Sequence, residues 1–241
     1  MITLENVLDV PHIFGDSHVL LENANLVLPL GRYALLSANP EYHPALINVL
    51  AGLKTPRQGF VHRSGFISWP IGRAGFLRGK LTGVQMTKFI CSLYGIDAEQ
   101  CLTFLSEIMT APEFIEKRIA EWPSYVRLEY TFSMALVPKF DMFIIDASLP
   151  IEETRFSRLW RSVFEDEIVG KGLILSTFRE EQLIDYCTKA LIHEQGKFWI
   201  DDDLEACIRR YPPRQSRAEQ PSGEGFDGAD FGDPSEADGF L

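Results

Sequence analysis

The residues with the clearest chemical layout run from Tyr33 to Gly52: a short apolar strand (Tyr33-Ala34-Leu35-Leu36), a tight loop from Ser37 to Pro44, and an amphipathic helix closed by a glycine. Phosphate-binding loops share this layout. Their pattern is Gly-x-x-x-x-Gly-Lys-Ser/Thr, in which glycines let backbone N–H groups curl around the phosphates, the lysine bridges them and the hydroxyl holds magnesium. On that frame the first glycine is Ser37, the second Tyr42, the lysine His43 and the hydroxyl Pro44, with Asn39 inside the loop and Ala45 directly after it. Pro40 and Pro44 have no N–H and fix φ in a loop that works by donating N–H groups. His43 is shorter than lysine and mostly neutral at pH 7. Two readings follow: a phosphate loop that has lost donors and charge, or an ordinary strand-loop-helix turn with Pro44 at the first helical position, where proline is well tolerated.

Other catalytic chemistries find less support. His12, His18, His43, His62 and His193 show no metal-ligand spacing, and none accompanies a convincing Ser or Cys nucleophile. Glu152-Glu153 and Asp201-Asp202-Asp203 read as solvated helix starts rather than paired acids. Cys91, Cys101, Cys187 and Cys207 are far apart with no C-x-x-C pair, which suggests neither zinc nor a disulfide framework and fits a reducing compartment. The net charge of −11 is uneven: beyond Arg217 there are seven acids and no base, so the rest of the chain is near −4. Neither part has the basic footprint of a nucleic-acid binder, and that class is set aside. No signal peptide opens the chain and no apolar run reaches membrane-spanning length, so membrane association is expected to go through a partner.

The elements that must position the loop alternate between strand and helix. Ile2 to Val7 and Val19 to Leu28 read as an antiparallel lead-in, joined by the turn-rich Pro11–Asp16, whose Phe14 either stacks on a ligand base or packs. Short strands are expected around Phe60 to His62 and Gly65 to Ile67, then a glycine-rich loop from Ser68 to Lys80. Helical period begins at Thr82, with Val84, Met86, Phe89, Ile90, Leu93 and Tyr94 on one face, and a helix opens at Pro123. Met142–Asp146 is a buried strand ending in a carboxylate, followed by a helix from Glu152 to Val169 and a strand from Leu173 to Ser176. A helix from Glu180 to Cys187, a hairpin around Gln195-Gly196 and a helix from Asp203 to Tyr211 complete the pattern, and Pro212-Pro213 ends it. Strands that are apolar throughout argue for a mainly parallel sheet covered on both faces.

This order of landmarks resembles the nucleotide-binding subunits of ABC transporters, and within them is similar to the ATP-binding subunits of capsular polysaccharide exporters. The resemblance rests on Ser68-Trp69-Pro70-Ile71-Gly72, Leu81-Thr82-Gly83 with Phe89-Ile90 and Tyr94-Gly95, Phe140 to Asp146, and Asp185-Tyr186-Cys187 before the hairpin. It covers residues 1–211. It implies an α/β fold, a RecA-like P-loop NTPase core of ABC type with an antiparallel β-subdomain and a helical subdomain at about 82–137. Residues 212–241 lie outside it and read as a disordered acidic tail.

The resemblance also implies roles for particular positions. Asp146 matches the carboxylate that holds magnesium indirectly, although an aspartate ending a strand is also a common turn cap. The general-base glutamate that should follow is Ala147, and the switch histidine falls on Thr177. The signature segment is Trp122 to Arg127, where Ser124 survives and Tyr125 replaces a glycine; Pro123 and Ser124 are equally ordinary helix-start residues. No glutamine occurs from Gly72 to Lys80, and Gln85 lies beyond on the helix. Docking on the transporter is expected through Trp69, Phe76, Leu77 and Arg78.

Altered together, these positions imply a degenerate subunit with weak or no ATP hydrolysis, for which ATP and magnesium are doubtful ligands and whose role in export is structural or regulatory. Its implied partners are a membrane-spanning polysaccharide exporter subunit and a second nucleotide-binding subunit, alike or different, and its implied place is cytoplasmic, on the inner face of the cell membrane. Two alternatives stand beside this reading: a subunit that still binds ATP and powers export, and a soluble scaffold or regulator that kept the fold.

Overall fold

The computed structural model describes residues 1–10, 19–72, 77, 79–150 and 153–213. Phe14, Phe76, Arg78 and residues 214–241 of the acidic tail lie outside these residues. Six strands form one sheet in the order β5 (Ile67–Ile71), β6 (Met142–Asp146), β7 (Gly172–Ser176), β3 (Arg32–Ser37), β8 (Lys189–Glu194) and β9 (Lys197–Asp201). All neighbours are parallel except β8 and β9. That pair is a hairpin whose two turn residues, Gln195 (φ 49°) and Gly196 (φ 74°), both take the left-handed conformation matching the strand twist. A second, antiparallel sheet has the order β2 (Leu21–Leu28), β1 (Ile2–Asp9) and β4 (Gln58–Arg63).

Helix α1 (His43–Ala51) lies between the two sheets, burying Leu46, Ile47, Val49 and Leu50 against Leu35 and Ile144 on one side and Leu4 and Leu26 on the other. Its C-terminal end is fixed twice. Gly52 takes φ +84°, and the Arg63 guanidinium reaches over from β4 to donate to the carbonyls of Leu50 (2.8 Å) and Val49, placing a cation where the helix dipole is negative.

The other face of the parallel sheet is covered by α5 (Arg155–Glu167), α6 (Glu180–Tyr186) and α7 (Leu204–Arg210), with a helical segment of α2 (Gly83–Tyr94), α3 (Ala98–Ile108) and α4 (Ser124–Met134). Its core is aromatic: Trp160 stacks on Phe164 at 4.6 Å between centroids and meets Phe132 edge-on at 5.2 Å. Helix α2 opens with a complete capping box between Thr82 and Gln85, so Gln85 has a local structural use.

One expectation about local structure changes. The strand read from Gly65 to Ile67 instead runs Ile67–Ile71, so Ser68 to Ile71 belong to the sheet rather than to a loop, and Gly65 (φ 85°) lies in the turn before it. Pro70 is tolerated because β5 is an edge strand, and the irregular register between Ile67 and Pro70 is bridged by the Ser68 hydroxyl, which accepts the Ile144 N–H at 2.8 Å.

Candidate phosphate-loop site

The site is assembled at the C-terminal ends of β3, β6 and β7, where open parallel sheets present loops and helix N-termini. The loop after β3 closes on its own chain. Ala38 N–H donates to the His193 carbonyl (3.4 Å), Asn39 N–H to the Ser37 hydroxyl (3.1 Å), Tyr42 N–H to the Asn39 carbonyl (3.0 Å) and His43 N–H to the Pro40 carbonyl. Pro40 and Pro44 have no N–H. Residues Pro40–Tyr42 tighten into a 3-10 turn that leads directly into α1.

Two buried histidines brace this loop. His193, 2% exposed at the end of β8, pairs through Nε2 with the Leu20 carbonyl at 2.7 Å and through Nδ1 with the Ser37 hydroxyl at 3.1 Å. A carbonyl can only accept, so Nε2 carries the proton and Nδ1 accepts from Ser37, whose oxygen in turn accepts from Asn39. Burial pushes the His193 imidazole below its ordinary range, against a smaller upward pull from the Leu20 carbonyl. His43, at the position of the phosphate lysine, is 7% exposed, and its Nδ1 lies 3.0 Å from the Ser176 hydroxyl at the end of β7. Tyr42, at the second glycine position, is half-buried and meets the His193 ring edge-on at 6.2 Å. Pro44 and Ala45 are half-buried in the first turn of α1, and Asn39 is exposed.

Asp146, half-buried, pairs in register with Ser176, so the carboxylate-bearing strand end and the partner of His43 are neighbours. Ala147 is packed against Gly72: a Cβ added at Gly72, which takes φ +92°, would stand 2.2 Å from the Ala147 Cβ. Thr177 is held from two sides. Its hydroxyl lies 3.0 Å from that of Ser148 and 3.2 Å from Gln182 Oε1, while Gln182 also exchanges two hydrogen bonds with the backbone of Leu149 (2.9 and 3.0 Å). The segments after β6 and β7 are thereby tied together through one buried amide. Among the described residues no group of three or more His, Cys, Asp or Glu is placed to hold a metal.

Ser124 lies elsewhere, at the exposed start of α4, with Tyr125 beside it at 49% exposure. Pro123 supplies no side-chain cap, and the preceding Trp122 is buried with its indole N–H on the Lys117 carbonyl at 3.2 Å. Trp69 is half-buried, edge-on to Phe140 at 5.3 Å and tilted against Tyr94 at 6.1 Å, and Leu77 is also half-buried. Apolar surface nearby is offered instead by Phe89 and Leu93 of α2, at 55% and 64% exposure. The structure thus gathers Ser37, Tyr42, His43, Asp146, Ala147 and Thr177, and leaves Ser124 and Trp69 apart. Sequence reasoning passed over Ser176, Gln182 and His193 as parts of the site. For Ser176 and His193 the available signal was position, a polar residue at the end of an apolar strand, whereas Gln182 lies inside α6 and carried no such signal.

No family model matches the chain. Curated relatives do. The ATP-binding protein BexA of Haemophilus influenzae is 26% identical over 216 residues, 89% of this chain and all of BexA. The polysialic acid transport ATP-binding protein KpsT of Escherichia coli is 27% identical over 205 residues, covering 83% of this chain and 94% of KpsT. The teichoic acids export ATP-binding protein TagH of Staphylococcus saprophyticus is 26% identical over 181 residues, 73% of this chain and 68% of TagH. Among solved structures, an ATP-binding subunit of an ABC transporter superposes with a TM-score of 0.65 at 16% identity over 87% of this chain and 92% of that one. The dimeric ATP-binding cassette MJ0796, in a post-hydrolysis state bound to ADP and Pi, gives 0.64 at 13% identity over 84% and 98%. The α/β P-loop NTPase fold of ABC type is the one these structures share with this chain, and in sequence the chain is similar to the ATP-binding proteins of capsule polysaccharide export and polysialic acid transport.

Proposed function

We propose that this chain is a nucleotide-binding-type subunit of an ABC exporter for capsular or other cell-surface polysaccharide, acting structurally or in regulation with weak or no ATP hydrolysis of its own. In this reading residues 1–211 form the ABC-type domain and 212–241 a separate acidic tail. The domain sits on the inner face of the membrane beneath a membrane-spanning partner and pairs with a second nucleotide-binding subunit. The names of relatives concerned with capsule polysaccharide export, polysialic acid transport and teichoic acids export support the export role. No described helix is long and apolar enough to cross a membrane, in keeping with attachment through a partner.

The observation that carries the impaired-site reading is His43, buried and bonded to Ser176 where a phosphate lysine would stand free. Nucleotide phosphates and magnesium do not fit the loop as built. Four of its N–H groups already have acceptors within the chain, two of its residues have none, and Pro44 replaces the hydroxyl that would face the metal. No step of phosphoryl transfer is therefore assigned to these residues. In a pair with an intact subunit, this chain would spoil the composite site that uses its loop and weaken the one that uses its α4 start.

Calorimetric titration with ATP, with and without magnesium, tests the reading beside a His43→Lys/Pro44→Ser variant. No heat at millimolar ATP is expected for the unaltered chain. Micromolar binding would overturn the reading in favour of a subunit that powers export, the second reading that the relatives' names favour. Co-purification with a membrane exporter separates both from a free scaffold. Weaker association after Trp69→Ala/Phe76→Ala would support docking through the 68–80 segment, and unchanged association would move it to Phe89 and Leu93.

A further inference from the structure

A cavity of about 390 Å³ opens between α5 and α6 at the start of β3, within the size range of small-molecule sites, roughly 300–1,000 Å³. It is far from the loop described above: Arg32 on its wall begins β3 and Ser37 ends it, about 16 Å along the strand. Arg32 and Arg161 both line it. Arg161 Nε is buried and has no acceptor, and no acid of the described residues lies within ion-pair distance of its guanidinium. Arg32 makes one long bond, 3.4 Å, to the Ile168 carbonyl. Two guanidiniums on one polar cavity with so few acceptors are unusual, because a buried guanidinium N–H without a partner, as at Arg161 Nε, is costly.

The same wall carries Glu165 and Asp185, so the lining as a whole is close to neutral. Glu165 already accepts the Tyr186 hydroxyl at 3.1 Å. That phenol keeps its proton at any ordinary pH, since burial, followed by the nearby Glu165 charge, pushes it up to about 12. Asp185 and the second Glu165 oxygen remain as acceptors, and Ile168 with the Tyr186 ring gives an apolar flank.

We propose that this cleft is a binding site for a small polyol bearing one oxyanion, of the sugar phosphate or sugar acid class. The oxyanion lies across Arg32 and Arg161, whose planar forks suit phosphate and carboxylate alike, and the hydroxyls donate to Asp185 and Glu165. Gln182, which holds Thr177 and Leu149, also forms part of the cavity wall.

The test is calorimetric titration of the full chain with glucose 6-phosphate, glucuronate and inorganic phosphate, comparing Arg161→Gln with Arg158→Gln, an exposed arginine of the same helix outside the cavity. Saturable binding of glucose 6-phosphate or glucuronate is expected, weakened roughly tenfold or more by Arg161→Gln and unchanged by Arg158→Gln. The two sugars distinguish phosphate from carboxylate as the anion. Arg32→Gln is the second variant and should weaken binding in the same way if Arg161→Gln lowers the thermal midpoint. No saturable heat up to on the order of 10 mM, equal affinity in Arg161→Gln and Arg158→Gln, or phosphate binding as tightly as the sugars would overturn the proposal.

Discussion

Helices α1 and α4 begin alike and end up in opposite situations. Each has a proline at its first turn or N-cap, Pro44 and Pro123, and neither has a side-chain cap. The start of α1 is sealed: His43 is buried on Ser176, and the preceding N–H groups go to Ser37, Asn39, Pro40 and His193. The start of α4 is open, with Ser124 and Tyr125 at the surface. In α1 the loop N–H groups are satisfied by acceptors within the chain, so the state of that helix start is tied to the stability of the fold. In α4 Ser124 and Tyr125 stand at the surface, and little of the core rests on them.

The contrast is easiest to break at His193. Replacing it with Phe removes the acceptor of the Ser37 hydroxyl and the donor to the Leu20 carbonyl, and leaves both buried. Urea unfolding should show a loss of roughly 2–4 kcal/mol. A loss under about 0.5 kcal/mol, the scale of ordinary surface substitutions, would mean that the α1 loop is no more braced than the α4 start.

A smaller effect should appear with pH. The folded imidazole of His193 sits below its unfolded value near 6.5, so the native state favours the neutral ring. Its contribution is fully present above about pH 6.5 and declines as pH falls through that value toward the lower folded one. Unfolding free energies measured from pH 7.5 to 5 should therefore fall more steeply for the unaltered chain than for His193→Phe. Parallel slopes would contradict the hydrogen-bond directions assigned here. The smallest effect belongs to α4: Tyr125→Ala should shift stability by no more than about 0.5 kcal/mol, and a larger loss by the same unfolding measurement would show that this helix start is also built into the core.

The parallel core was legible because β3, β6 and β7 are short apolar runs that only a doubly covered sheet can bury, and the hairpin because Gln195-Gly196 suits a tight two-residue turn. The end of β5 was less legible. Pro70 reads as a strand breaker, and the compensation, the Ser68 hydroxyl on Ile144, crosses to another strand. At the site, the loop positions 37–45 could be read from spacing and the others from the resemblance, whereas the side chains that pack against them could not. Ser176 is 133 residues from His43, and His193 is 156 from Ser37. Each looks like an unremarkable strand end until the sheet places it beside the loop.

The close approach of Gly72 to Ala147 couples what these two positions can hold. With Ala147 in place, position 72 admits only glycine, since any side chain there would collide with the alanine methyl as well as strain a backbone at φ +92°. A larger side chain at position 147 would grow from a Cβ already in contact with the β5 end, so it would require that strand's backbone to shift. Mutational tolerance across this segment should accordingly drop to its lowest at Gly72, a residue with no side chain and no chemistry of its own.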